Sequence, residues 1–173
     1  MFLKFAGCAM ILGASSFLGY SLANEYVKRQ QELKQLQELM HMLETEIRYM
    51  SNLLADAFEK ITEDKDTVMA LFFRESASIL RSESGTGASD AWKRAVTKCI
   101  GKTALDKEDE KVLRSFGSML GNSDTEGQLK NIKLIISRLE EREQNACEKR
   151  KKGEPMCRKL GVLAGIAVVI LLF

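Results

Sequence analysis

Both ends of this chain are stripped of charge, and that constrains its fold more than any other feature. Residues 5–22 and 160–173 contain no Lys, Arg, Asp or Glu, while residues 23–159 carry every charge except Lys4. As a helix, the first run of 18 residues would rise ~27 Å, close to the ~30 Å hydrocarbon core of a bilayer. The second run is ~21 Å long as a helix, and reaches 18 residues from Met156 if Arg158 and Lys159 extend their charges toward lipid headgroups. It is apolar on every face, which suits lipid better than the core of a small domain. The overall 29% charged and 45% hydrophobic residues average these regions together and hide the division. The expected organisation is therefore an N-terminal transmembrane anchor (residues 1–23), a charged domain (24–159) and a C-terminal transmembrane tail (160–173).

A cleaved signal peptide is the competing reading of the N-terminus. Lys4 would be its positive n-region and Ser21-Leu22-Ala23 its small-x-small cleavage site. The apolar run exceeds the usual h-region of ~7–15 residues, and Lys28, Arg29 and Lys34 follow at once, so an uncleaved anchor is favoured. Ala9/Gly13, Ser15/Gly19 and Gly19/Ala23 place small residues four apart, where a second helix could approach closely; such residues are also simply common in membrane helices. Six of the eleven residues from Lys149 to Lys159 are Lys or Arg. Basic flanks on the domain side of both apolar runs put the domain in the cytoplasm by the positive-inside rule.

The charged middle reads as helix throughout. Leu33, Leu36, Met40, Leu43, Ile47, Met50, Leu54, Ala57 and Ile61 alternate three and four apart, the a/d seam of one helix over residues 24–61. The seam could pair with another chain or bury against helices of its own; the further helices that follow favour the second. Residues 66–80 form the second expected helix, with Val68, Leu71, Phe72 and Ile79 on one face. After a Gly/Ser loop, Ser89 caps a third helix carrying Trp92, Val96 and Cys99, which Gly101 stops. Asp106 caps a fourth, which ends at Gly121. Ser123 and Glu126 form a capping box for a fifth, which Gly153 and Pro155 are expected to kink or interrupt. The expected fold is all-α: an antiparallel bundle of about five to six helices flanked by the two transmembrane helices.

The chemistry is thin. Gly101-Lys102-Thr103 resembles the end of a phosphate loop, but position 96 is Val where the motif needs Gly, and a helix precedes it instead of a strand. The four cysteines form no CxxC pair, and the single histidine, His41, offers no second imidazole, so no metal site, cofactor site or disulfide framework is expected. Acid pairs such as Glu44/Glu46, Asp109/Glu110 and Glu140/Glu141 do not converge on a helix and read as charged surface. The formal net charge of +2 gives no argument for nucleic acid, and neither an enzyme activity nor a small-molecule substrate is suggested.

Several stretches carry a resemblance. Leu43-Glu44-Thr45-Glu46-Ile47-Arg48-Tyr49, Ala91-Trp92, the run from Phe116 to Asp124 with Gln128 after it, and the Leu-Gly-x-Leu-Ala-Gly opening of the tail at Leu160 resemble the stage III sporulation protein AB family over essentially the whole chain. Relatives often carry Pro where Leu53 stands, and are helical in appearance across the stretch matching Gly153 to Pro155. The resemblance implies a cytoplasmic domain similar to the helical domains of F-type platform proteins of type II secretion, in the mother-cell membrane surrounding the forespore. It also implies partners: a secretion-type ATPase, the stage III sporulation protein AA, and other proteins of the same channel complex. Candidate partner contacts are Glu44, Glu46 and Tyr49 on the seam helix, and Asp124 with Gln128 beyond the turn. The bundle seam itself is Leu36, Met40, Leu43, Ile47, Met50 and Leu54. The competing functions are a membrane-tethered scaffold or signalling protein that dimerises through this seam, and a secreted protein with a tail anchor.

Overall fold

The computed structural model describes residues 2–49, 53–83, 85–121 and 124–172, with side chains from residue 7 onward. They form α1 (Phe2–Tyr49), α2 (Leu54–Lys60), α3 (Ala70–Ser82), α4 (Ala88–Cys99), a 3-10 turn (Ile100–Lys102), α5 (Lys107–Met119) and α6 (Thr125–Leu172), with no strand among the described residues. The chain divides into two compact units: Gln31–Gln144, and Met1–Gln30 together with Asn145–Phe173.

The first unit is a helical bundle organised around one indole. Trp92 of α4 is fully buried and its Nε1 donates to the Leu113 carbonyl of α5 at 2.7 Å. Phe73 and Phe116 each meet it edge-on at 4.9 Å between ring centroids, and Phe58 and Phe72 close the cluster at 5.8 and 6.5 Å. Fully burying each such ring is worth roughly 1.5–3 kcal/mol, so this cluster is a principal source of the unit's stability. Gly117 lets α5 lie directly against the indole: a Cβ there would fall 2.6 Å from Trp92 Cδ1. Cys99 is buried in the same unit, and burial pushes its thiol up from the ordinary value.

The seam of α1 is satisfied inside the chain. Leu33, Leu36, Met40 and Leu43 are fully buried, while Ile47 and Leu54 are half-buried and Met50 lies outside the described residues. Gln37 Nε2 donates to the Leu139 carbonyl of α6 at 3.2 Å, fixing the two helices together.

α5 starts where its sequence says. Asp106 accepts the amides of Glu108 and Asp109, and the Asp109 carboxylate accepts the Asp106 amide in return, a full capping box. Acidic Glu108, Asp109 and Glu110 complement the positive helix N-terminus. Gly121, with φ +78, supplies the left-handed residue that ends it.

The second unit is an antiparallel pair formed by the N-terminal part of α1 and the C-terminal part of α6. The contacts run in reverse order: Gln30 accepts from Arg150 at 3.1 Å, Tyr26 covers Gly153, the Arg158 guanidinium sits 5.1 Å from the Tyr20 ring centre, and Gly19 meets Gly161. A Cβ on Gly19 or Gly161 would lie 2.8 Å from the other glycine's Cα, so the two backbones touch. The Ser15 hydroxyl donates to the Gly161 carbonyl. The close approach invited by Ser15, Gly19 and Ala23 is thus taken up by the chain's own last helix. Among the described residues, α6 carries a stretch of 18 residues long and apolar enough to cross a membrane, with mean hydropathy 1.9 and 6% of it buried.

Several expectations about helix limits need correction. The seam helix does not run unbroken over residues 24–61: α1 ends at Tyr49 and α2 begins at Leu54. The second expected helix begins at Ala70, not residue 66, because Thr67 Oγ1 accepts the Ala70 amide and residues 61–69 are turns and irregular chain; Val68 is exposed. The third begins after Gly87, which makes Ser89 an interior residue of its first turn and not its cap. Gly153 and Pro155 do not interrupt α6. The Lys151 carbonyl that loses its amide partner to Pro155 lies on an exposed stretch, where water can replace the bond. Gly153 instead provides the flat surface on which the Tyr26 ring rests. Ser123, the expected cap of the last helix, lies outside the described residues; Asp124 accepts the Gly127 amide at 3.0 Å and holds the cap position.

Candidate partner-binding face

The last two turns of α1 and the first turns of α6 come together at one end of the bundle. Glu44 and Arg48 are one turn apart on α1 and pair at 2.6 Å. Lys133, two turns into α6, reaches to 3.9 Å from Glu44, and His41 Nδ1 lies at the same distance from its other oxygen. Glu46 accepts from Lys60 Nζ of α2 at 3.0 Å. Both glutamates are therefore held by cations, with 15% and 16% of their side chains exposed. Tyr49 is different: it is 78% exposed on the final turn of α1, and Leu53, just before α2, is nearly as open.

Across from them, Asp124 uses one carboxylate oxygen for the cap and its carbonyl for the Gln128 amide at 2.9 Å. Gln128 is half-buried one turn further on. Arg48, Asp124, Glu126, Gly127, Leu129, Lys130 and Lys133 line an open groove of about 610 Å³ between the two helices. The structure thus brings Glu44, Tyr49, Asp124 and Gln128, read from separate stretches of sequence, to one end of the bundle. Glu46 points instead toward α2.

Arg48 of α1 faces Asp124, Glu126, Lys130 and Lys133 across the groove, and the neighbouring Tyr49 is exposed; Tyr is a residue type enriched at interface centres. Among the described residues, no three His, Cys, Asp or Glu side chains converge as metal ligands do. One acid pair departs from its expected place at the surface. Asp109 is fully buried and accepts from Arg142 Nε at 2.7 Å, while Arg142 also donates to Asp106 at 2.9 Å. Its carboxylate ties the start of α5 to α6. Glu32, likewise buried, accepts the Ala104 amide at 2.7 Å. Both links join residues far apart in sequence, and no local pattern signals either.

The comparisons agree with this architecture. A family model described as stage III sporulation protein AB matches residues 4–173. The stage III sporulation protein AB of Bacillus subtilis (strain 168) is 32% identical over 170 residues, which is 98% of this chain and 99% of that one. A solved structure of a stage III sporulation protein AB superposes with a TM-score of 0.67 at 29% identity, covering 72% of this chain and 98% of its own. A match from end to end in sequence, joined to the same helical fold in a solved relative, leaves one conclusion: the chain belongs to the stage III sporulation protein AB family.

Proposed function

We propose that this sporulation protein is a non-enzymatic platform component of a transenvelope, secretion-like channel complex between mother cell and forespore. The observation that carries the reading is the groove end of the bundle, lined by Arg48 of α1 and by charges of α6, with an exposed Tyr49 following Arg48 on the last turn of α1. Its partners would be a secretion-type ATPase, of the stage III sporulation protein AA kind, and other proteins of the same complex. The bundle would be cytoplasmic and would couple ATPase movement to the channel.

The N-terminal part of α1 would be a second membrane span. Met10, Phe17, Leu18 and Leu22 are exposed on it, an apolar surface that lipid satisfies and water does not. Its glycine contact with α6 is the kind of packing membrane helices use. With basic residues on the domain side of both spans, the bundle stays on the cytoplasmic side of the mother-cell membrane around the forespore.

A scaffold that dimerises through the α1 seam is disfavoured because Leu33, Leu36, Met40 and Leu43 are already buried within this chain. The test is affinity recovery of the full-length protein from membranes of sporulating cells after cross-linking. Recovery of a secretion-type ATPase or channel protein, lost with Tyr49→Ala, is the expected result. Recovery of only a second copy of this chain would overturn the platform reading in favour of the scaffold.

A further inference from the structure

The two compact units carry opposite charge. Gln31–Gln144 contains 17 Lys and Arg against 21 Asp and Glu, a net of −4, while the helix-pair unit contains nine against three, a net of +6. Eight of those nine cations fall within two short stretches, residues 28–29 and 149–159. The antiparallel pairing brings the stretches to one level, since Gln30 meets Arg150 and Tyr26 meets Gly153. The result is a basic collar around the helix pair.

Some collar cations are structural. Arg150 and Arg158 share Glu154 at 2.9 and 2.8 Å, and Arg158 also lies over Tyr20. Lys151, Lys152 and Lys159 are exposed and, among the described residues, have no ion-pair partner. Lys152 and Lys159 are seven residues apart, two helical turns, and so share a face of α6. That face continues through Leu163, Ile166 and Ile170, all exposed. A single stripe therefore passes from lysine to bare hydrocarbon within about two turns. A protein partner with an acidic surface would match the first half of this stripe only. A lipid matches both halves, with its headgroup on the lysines and its acyl chain on the aliphatic side chains.

We infer that this collar is a binding surface for anionic phospholipid headgroups, recognised by Lys151, Lys152 and Lys159. The inference rests on the membrane-spanning reading above and adds a lipid preference to it. An ammonium group held at the level of the headgroups attracts anionic lipid, and three of them acting together concentrate it locally. Because the attraction is electrostatic, it weakens as salt screens it.

The experiment uses the full-length chain in vesicles of phosphatidylcholine alone and of phosphatidylcholine with an equal part of phosphatidylglycerol. Flotation first establishes insertion, and native mass spectrometry then counts the lipids retained by the released protein. Wild type is expected to retain phosphatidylglycerol in preference to phosphatidylcholine. Lys151→Gln/Lys152→Gln/Lys159→Gln should lower that preference by roughly tenfold or more, and the triple Arg variant should keep it. Helix content by circular dichroism checks that all three proteins are folded. Equal retention of both lipids by wild type, or an unchanged preference in the Gln variant, overturns the inference and leaves the collar to an acidic protein surface. Failure of the wild type to float with either vesicle overturns the membrane-spanning reading as well, so the two failures are told apart.

Discussion

Gly117 and Trp92 are in direct contact, with the indole occupying the space that a side chain at position 117 would need. The indole cannot retreat, because its Nε1 is bonded to the Leu113 carbonyl and four phenylalanine rings surround it. Gly117→Ala should therefore destabilise the bundle by about 1–3 kcal/mol, even though alanine is the better helix former. Gly101→Ala, where an added Cβ meets nothing within 4 Å, should be close to neutral. Chemical denaturation followed by tryptophan fluorescence compares the two; equal midpoints would mean that α5 does not press on the indole.

The buried Asp109–Arg142 pair makes a different prediction. Removing Asp109 takes the Nε partner from Arg142 and the return bond from the Asp106 amide, leaving the guanidinium on Asp106 alone, and breaking such a buried link typically costs about 3–5 kcal/mol. Asp109→Ala should show a loss of that order by urea denaturation. Asp109→Leu with Arg142→Met should recover part of it, since no buried charge then stays unpaired and the Asp106 that loses Arg142 is partly exposed. A single variant within about 1 kcal/mol of wild type would contradict a buried ion pair at this place.

How much of this was legible from the sequence depends on how local the cause is. α5 was legible because its start, Asp106, and its stop, Gly121, act on neighbouring amides and on their own φ. The apolar face of the seam was legible too, but the break at Leu53 was not. Leu54, Ala57 and Ile61 resume the same spacing beyond it, and periodicity reports which face is apolar, not whether the backbone is continuous. Pro155 was misleading for the opposite reason: its local cost is real, but tertiary packing of α6 against α1 at Gly153 and Gly161 holds the helix through it. At the candidate site the Glu44–Arg48 pair lies within one helix turn, whereas Lys133, which also nears Glu44, and Lys60, which holds Glu46, arrive from other helices. Asp109 passed for surface because Arg142 is 33 residues away.

The Glu83–Arg94 pair should set part of the acid limb of stability. Two hydrogen bonds from Arg94 at 2.6 and 2.8 Å, helped by Thr86, hold the Glu83 carboxyl below its ordinary value of 4.5. A carboxyl lowered in the folded state stabilises it above the unfolded value, and that contribution fades as pH falls through the folded value. The melting temperatures of wild type and Glu83→Gln should therefore differ at pH 6 and converge as pH drops well below 4.5. A difference that persists unchanged at pH 2 would assign the effect to packing instead of charge.

The contact between the two end helices can be fixed covalently. A Cβ on Gly165 would lie 3.1 Å from Ser15 Cβ, so the helices need to part by only a few tenths of an ångström to reach the ~3.5–4.5 Å that a disulfide spans. In a variant lacking the four native cysteines, Ser15→Cys with Gly165→Cys should form an intramolecular disulfide under mild oxidation, seen as a mobility shift on a non-reducing gel. Adding Gly161→Leu, which drives a side chain into the Gly19 backbone, should abolish the shift. A shift that survives Gly161→Leu would mean that the helices meet without the glycine contact.

The Asp124 turn separates capping from partner contact. Its carboxylate accepts the Gly127 amide, so Asp124→Ala should cost ~1 kcal/mol in the thermal unfolding of the bundle. Asparagine also caps well, and Asp124→Asn should leave stability nearly unchanged while removing the charge. Gln128 lies one turn further along the same face and lines up with Asp124 beside the Arg48 groove. If this end of the bundle meets a partner, Asp124→Asn with Gln128→Ala should remain folded and membrane-bound while partner recovery and sporulation both fall. Circular dichroism of the extracted protein and spore counts read the two effects separately. Normal sporulation in the double variant would confine Asp124 to its capping role and leave Tyr49, an exposed aromatic side chain of that end, as the contact to change next.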